Sequence, residues 1–221
     1  MALQYAADAI GLWLNLLVVS ALLRGSYRQY PFVLAYALTL LVSTVVEIGV
    51  RAASASGHRA YDRYYWADEL ILDVLVFCVV IAFIDQAARY SKQKTIERHW
   101  LILAAALIFA ASSTIHHSPH LNLWMTLVSR DLNICAVILD LILWSLLLTW
   151  RRPDRRLLLL SGGLGLQLTG AIMGEQLRNL SHHLHGLLLT GQLLEVSTGL
   201  LGLYIWWRAL RTAPAREDRP A

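Results

Sequence analysis

The sequence predicts an all-α polytopic membrane protein, a seven-transmembrane-helix bundle with its N-terminus outside and its C-terminus cytoplasmic. Three observations predict it. Charged residues make up 15% of the 221 positions and hydrophobic ones 57%, whereas a soluble domain carries about 25% charged residues. The apolar residues gather in seven continuous runs, and roughly 20 helical residues cross a hydrocarbon core about 30 Å thick. Lys and Arg are concentrated in alternate loops, the asymmetry that sets orientation in a bilayer. With a mean hydropathy of +0.52, these features exclude a disordered chain, a coiled coil and an ordinary cytosolic enzyme.

The runs cover 6–23, 31–50, 64–84, 100–117, 122–150, 157–174 and 185–207. They are continuous and rich in Leu and Ala, which favours helices over alternating strands. A helix also satisfies its own backbone in lipid. The first run has no preceding Lys or Arg and no evident cleavage site, so it is expected to be a retained helix rather than a signal peptide. Tyr30-Pro31 opens the second run, with Pro at a first-turn position where its missing N–H costs nothing. Ser118-Pro119 repeats that pattern before the fifth, and Arg152-Pro153 separates the fifth from the sixth. Gly162, Gly163, Gly165 and Gly170 in the sixth run are expected to let neighbouring helices approach closely. Residues 1–208 therefore read as one membrane domain, and 209–221 as a short basic cytoplasmic tail.

Fourteen of the nineteen Lys and Arg residues fall on one side: Arg24 and Arg28 in the first loop, Arg89 to Arg98 in the third, Arg151 to Arg156 in the fifth, and Arg208 to Arg219 at the end. Cytoplasmic loops retain positive charge, so this side is expected to be the inner one. Arg51, Arg59, Arg63, Arg130 and Arg178 lie on the other. The pI near 9.3 then reflects a surface facing anionic lipid headgroups, in a cell inner (plasma) membrane. No element for reading nucleic acid accompanies it. Trp100, Trp150, Trp206 and Trp207 stand at run ends, where interfacial anchors belong.

An internal echo is present. Arg24 to Glu47 and Arg152 to Glu175 have the same separation, and Glu69 and Glu195 occur in the next run of each triplet. Such weak symmetry accompanies the parallel-repeat plan of some small transporters.

The polar residues favour the outer side. At about 1.5 Å per residue from the inner boundary, Asp8, Glu47 and Glu69 lie about 24 Å up, Glu195 about 20 Å, Asp73 about 18 Å and Asp140 about 16 Å. Charges facing lipid are expensive, about 2.5–3.5 kcal/mol on insertion scales, so these groups must face the bundle or a wet cavity. Asp62, Glu69 and Asp73 share one face of the third helix, and His185, Gln192 and Glu195 one broad stripe of the seventh. The expected ligand pocket therefore comprises Tyr65, Asp68, Glu69, Asp73, Gln192 and Glu195.

Histidines are equally lopsided: His58, His116, His117, His120, His182, His183 and His185 lie outside, and only His99 inside. Imidazoles and carboxylates suit zinc and related divalent cations, and an open fourth position would allow hydrolysis near the headgroups. The candidate ligands are His116, His117, His120, His182, His183, His185 and Glu175, although no His-Glu-x-x-His motif occurs. The plainer alternative leaves the histidines solvated and pairs the acids with Arg51, Arg63, Arg130 and Arg178 to lock helices together.

Three functions remain open. The favoured one is ligand or cation binding in an outward-facing acidic and His-rich pocket, with a sensor-like or accessory role, favoured over catalysis. A proton- or ion-coupled solute transporter would use Asp73, Asp140 and Glu195 as titrating groups. A zinc-dependent membrane hydrolase would use the histidines. No cofactor is assigned beyond zinc or another divalent cation as a candidate, and retinal is excluded because the only lysines are Lys92 and Lys94, in an inner loop. A sensor would need a protein partner or a second copy of itself, since no signalling domain follows. Cys78 and Cys135 sit inside apolar runs as small buried hydrophobes.

Two local patterns resemble known families. Arg28-Gln29-Tyr30-Pro31, followed by Tyr64-Tyr65-Trp66-Ala67-Asp68-Glu69, resembles uncharacterised bacterial seven-helix integral membrane proteins, which implies an inner-membrane home and no particular activity. Ser112 and Ser113, four residues before His116 and His117, resemble the Ser-x-x-x-His element of zinc hydrolases related to alkaline ceramidases. Here the element lies in the fourth helix rather than an early one, and the last helix lacks His-x-x-x-His. That family's activity is therefore not carried over.

Overall fold

A computed structural model describes residues 2–53, 58–90, 110, 114, 121–149, 154–180 and 185–211. Every regular element among them is helical: α1 (Ala2–Ala21), running on into a π-turn at Leu22–Ser26, α2 (Pro31–Ala53), α3 (His58–Tyr90), α4 (Leu121–Thr149), α5 (Arg155–Leu180) and α6 (His185–Arg211). Five segments are long and apolar enough to cross a membrane: Ala6–Gly25, Pro31–Gly49, Leu70–Ala87, Arg155–Arg178 and Leu187–Arg211. The fourth apolar run, 100–117, lies almost wholly outside the described residues, as does the tail from 212 onward.

Most helices outrun the apolar stretches that announce them. The third run begins at residue 64 and ends at 84, yet α3 extends from His58 to Tyr90. Hydrophobicity marks the part of a helix suited to hydrocarbon, whereas the backbone ladder continues through polar turns that water can solvate. Helix ends are set by local chemistry. After α1, Gly25 adopts φ 148°, a left-handed conformation costly for any residue with a β-carbon. At the start of α5, Asp154 Oδ1 accepts from the backbone N–H groups of Arg156 (2.9 Å) and Leu157 (3.4 Å), capping otherwise unpaired donors.

The described helices close into a ring. α1 touches α2 and α6, α2 touches α3, α3 touches α4, α4 touches α5 and α5 touches α6; α3 also reaches α5 across the interior. The ring is apolar on both its inner and outer sides. Val18, Val33, Val80, Leu143, Leu160 and Trp206 are buried inside. Trp13, Val42, Leu141, Leu189 and Leu201 stand exposed on the outer surface. Asn15, Ser43, Asp73, Ser129, Asp140, Ser161 and Thr198 are buried. Apolar residues outward and polar ones inward is the distribution expected where lipid replaces water as the surrounding solvent.

The tightest seam joins α5 to α6, and its cause is the glycines. A β-carbon at Gly163 would stand 2.6 Å from the Trp206 ring, and one at Gly174 would stand 2.9 Å from the carbonyl oxygen of Gly191. At Gly170 it would overlap the Thr198 hydroxyl, and at Gly202 the side chain of Gln167. Small residues on both helices let the backbones approach, and van der Waals contact replaces the hydrophobic drive that lipid removes. Gly162 and Gly165 face the other way, against Trp144 and Asp140 of α4. The glycines of the sixth run thus serve two seams.

Polar bonds fasten several of the junctions. Asn15 donates to the Ala37 carbonyl (3.1 Å), joining α1 to α2. Ser43 donates to Asp68 (2.5 Å), joining α2 to α3. Ser161 donates to Asp140 (3.1 Å), joining α5 to α4. At the opposite end of α5 from Arg178, the Arg156 guanidinium donates to the carbonyls of Ala209 (3.2 Å) and Leu210 (3.3 Å). It thereby caps the last turn of α6, where a cation also complements the helix dipole.

Candidate functional site

The most concentrated polar arrangement lies where α3, α4 and α5 meet. Asp73 is buried on α3, inside the span Leu70–Ala87. Ser129 of α4 donates its hydroxyl to one Asp73 oxygen, and Asn133, one turn later, donates its amide to the other at 3.0 Å. The spacing of four puts Ser129 and Asn133 on one face of α4, so a single carboxylate is gripped by two consecutive turns. Both donors are neutral. Two helices thus meet at one buried carboxylate, Asp73 of α3 held by Ser129 and Asn133 of α4.

A second cluster closes the α5–α6 seam beside it. Arg178 Nη1 donates to Glu195 Oε2 at 2.5 Å. This is the helix-locking ion pair anticipated for Arg178. Arg130 of α4 lies 4.0 Å from its neighbour Asp131.

A third polar point lies farther along α4. Asp140 is buried, receives the Ser161 hydroxyl, and projects one oxygen against Gly165, where a β-carbon would collide with it. Ser129, Asn133 and Asp140 recur at intervals of four and seven, a polar line on the inward face of a leucine-rich helix.

The pocket expected from the sequence is only partly assembled by these residues. Asp68 is engaged by Ser43 across the α2–α3 junction, while Asp73 turns to α4. Glu195 turns to α5, and Gln192 is exposed. Asp73 and Glu195 therefore use different partners, and neighbouring helices separate α3 from α6 along the ring. Tyr65 and Glu69 lie on α3, and nothing is described of their side chains. Of the expected metal ligands, Glu175 lies part-buried on α5. His185 begins α6 without a described side chain, and His116, His117, His120, His182 and His183 lie outside the described residues. Among the described residues, no three His, Cys, Asp or Glu side chains are grouped to hold a metal ion.

Ser129, Asn133 and Ser161 are the contributors that the sequence reading did not select. The signal for Ser129 and Asn133 was their spacing of four within an apolar run, but such pairs also occur on helix faces that bind nothing.

No protein-family model, curated protein or solved structure matches the chain.

Proposed function

We propose that the chain is a seven-helix inner-membrane protein that binds a small cation at Asp73, in a sensor-like or accessory role. Its N-terminus is outside and its C-terminus cytoplasmic, as the Lys and Arg distribution requires. The kinship with bacterial seven-helix membrane proteins belongs to the same proposal. The observation that carries the binding reading is Asp73 itself. It is buried within an apolar span, and its hydrogen-bond partners among the described residues, Ser129 and Asn133, are both neutral. Ionisable groups placed this way in a bundle interior mark binding or conduction sites.

The donor set favours a monovalent cation, such as a primary ammonium or an alkali metal ion. A carboxylate with hydroxyl and amide oxygens is a hard donor set, and among the described residues no three His, Cys, Asp or Glu side chains group for chelation of a divalent metal. The test is calorimetric titration of detergent-purified protein with methylammonium chloride and with sodium chloride, with choline chloride holding ionic strength constant. Saturable heat that Asp73→Asn removes supports the reading. An absence of saturable heat with both salts in the intact protein overturns it.

The line Ser129–Asn133–Asp140 favours a second reading, a proton- or ion-coupled small-solute transporter, because it spans about 16 Å of the interior at 1.5 Å per residue. That reading requires pH-driven flux in liposomes that is lost in Asp140→Asn. The zinc-hydrolase alternative rests on His116, His117, His120, His182, His183 and His185, and requires stoichiometric zinc by elemental analysis of the purified protein.

A further inference from the structure

The C-terminal half of α6 carries an outward strip that takes no part in the Asp73 site. Leu193, Leu201 and Tyr204 are exposed along it, followed by the exposed Arg208 and Arg211. Helical periodicity puts all five on one side of the helix. In chain order the strip passes from aliphatic side chains, through a phenol, to two guanidinium groups. Arg211 is held in a defined position. Its guanidinium carbon lies over the Trp207 ring, 5.1 Å from the centroid, and Tyr204 packs against the same ring with centroids 5.8 Å apart. Stacking on an aromatic face leaves the N–H donors at the guanidinium edge available to an acceptor. Among the described residues, no carboxylate pairs with Arg211. Nor does α6 need Arg211 as its cap. Arg156 of α5 already donates to the carbonyls of Ala209 (3.2 Å) and Leu210 (3.3 Å), and its charge offsets the negative helix end that would repel an anion.

We infer that this strip is a binding site for an anionic glycerophospholipid of the phosphatidylglycerol type. Arg211, with Arg208 three residues before it on the same face, takes the phosphodiester, whose oxygens match the planar fork of a guanidinium. An acyl chain lies along Leu201 and Leu193. The dimensions agree: Leu193 to Tyr204 spans about 16 Å at 1.5 Å per residue, about half of a hydrocarbon core roughly 30 Å thick. Tyr204 then stands at the level of the headgroups, where an amphipathic ring belongs. A choline headgroup brings its own cation and offers the arginines no net charge, so the site selects the anionic lipid. Trp207 is a positioning residue that acts through Arg211. The site is separate from Asp73 and does not rest on cation binding there.

The test uses the full chain in detergent micelles holding equal amounts of dioleoyl phosphatidylglycerol and dioleoyl phosphatidylcholine. Retained lipid is counted by native mass spectrometry. The intact protein is expected to prefer phosphatidylglycerol by about tenfold or more, since each basic residue at an anionic headgroup contributes about fivefold. Arg211→Gln should cut that preference about fivefold. Trp207→Leu leaves every charge in place and should still weaken it, because the guanidinium loses its platform. The double variant K92Q/K94Q removes two positive charges elsewhere in the chain and should leave the preference unchanged. Equal retention of the two lipids by the intact protein overturns the inference. A loss in K92Q/K94Q as large as in Arg211→Gln also overturns it, since the attraction is then that of the whole basic surface. So does a preference untouched by Arg211→Gln, an exposed position that decides alone if Trp207→Leu does not fold. An undiminished preference in folded Trp207→Leu strikes out its positioning role. Glycerol 3-phosphate, the headgroup without chains, should not displace the lipid at equal concentration; displacement overturns the assignment to a lipid.

Discussion

Trp206 donates its indole N–H to the backbone carbonyl of Leu160, 2.7 Å away on the facing helix. That oxygen should already be occupied by the α5 ladder, so the bond draws on the second lone pair of the carbonyl. The ring lies fully buried against bare Gly163 and makes an edge-on contact with Tyr36 of α2, with centroids 5.7 Å apart. One side chain therefore ties together α2, α5 and α6.

This arrangement predicts two graded losses. Trp206→Phe removes one neutral hydrogen bond, and thermal unfolding in detergent should register about 0.5–1.5 kcal/mol of lost stability. Gly163→Val leaves the bond donor in place but drives a side chain into the ring, an overpacking effect of about 1–3 kcal/mol. A fully stable Gly163→Val variant would contradict the close approach of α5 and α6.

The grip of α4 on α3 is open to a double-mutant cycle. Asp73→Ala, Ser129→Ala and their combination, unfolded in mixed micelles, should yield a coupling energy within the range of about 0.6–1.7 kcal/mol found for hydrogen bonds between membrane helices. Strict additivity would mean that the two groups do not meet. Asp68→Ala with Ser129→Ala is the control, because Asp68 engages Ser43 instead, and additive behaviour is expected there.

Orientation can be tested with introduced cysteines. Leu180→Cys, at the exposed end of α5, should react in intact cells with a membrane-impermeant maleimide. Asp218→Cys, in the basic tail, should react only after the membrane is opened, because the surplus of Lys and Arg assigns that side to the cytoplasm. The reverse labelling pattern would invert the topology.

Asp73 stood out in the sequence because a carboxylate in an apolar run has few inexpensive locations in a bilayer. Its partners did not stand out. Ser129 lies 56 positions away and Asn133 60, and nothing in either short polar side chain announces which helix it will face. Glu195 and Gln192 illustrate the complementary limit. Helical periodicity placed them on one broad stripe of the last run, yet one meets Arg178 and the other is exposed. Periodicity fixes the angle between side chains on one helix, whereas the rotation of that helix against its neighbours depends on packing. The π-turn at Leu22–Ser26 has a local cause, because Gly25 is the residue that tolerates its positive φ.

The low charge content and its arrangement in apolar runs determined the helical class. Backbone groups in an apolar solvent must bond within their own segment, so composition alone dictates helices there. The tertiary structure decided which donors grip Asp73, which acid meets an arginine, and which glycines bring two helices into contact. Those relationships depend on which helices are neighbours and how each is turned. Short-range pattern leaves both undetermined, because many packings bury the same apolar faces equally well.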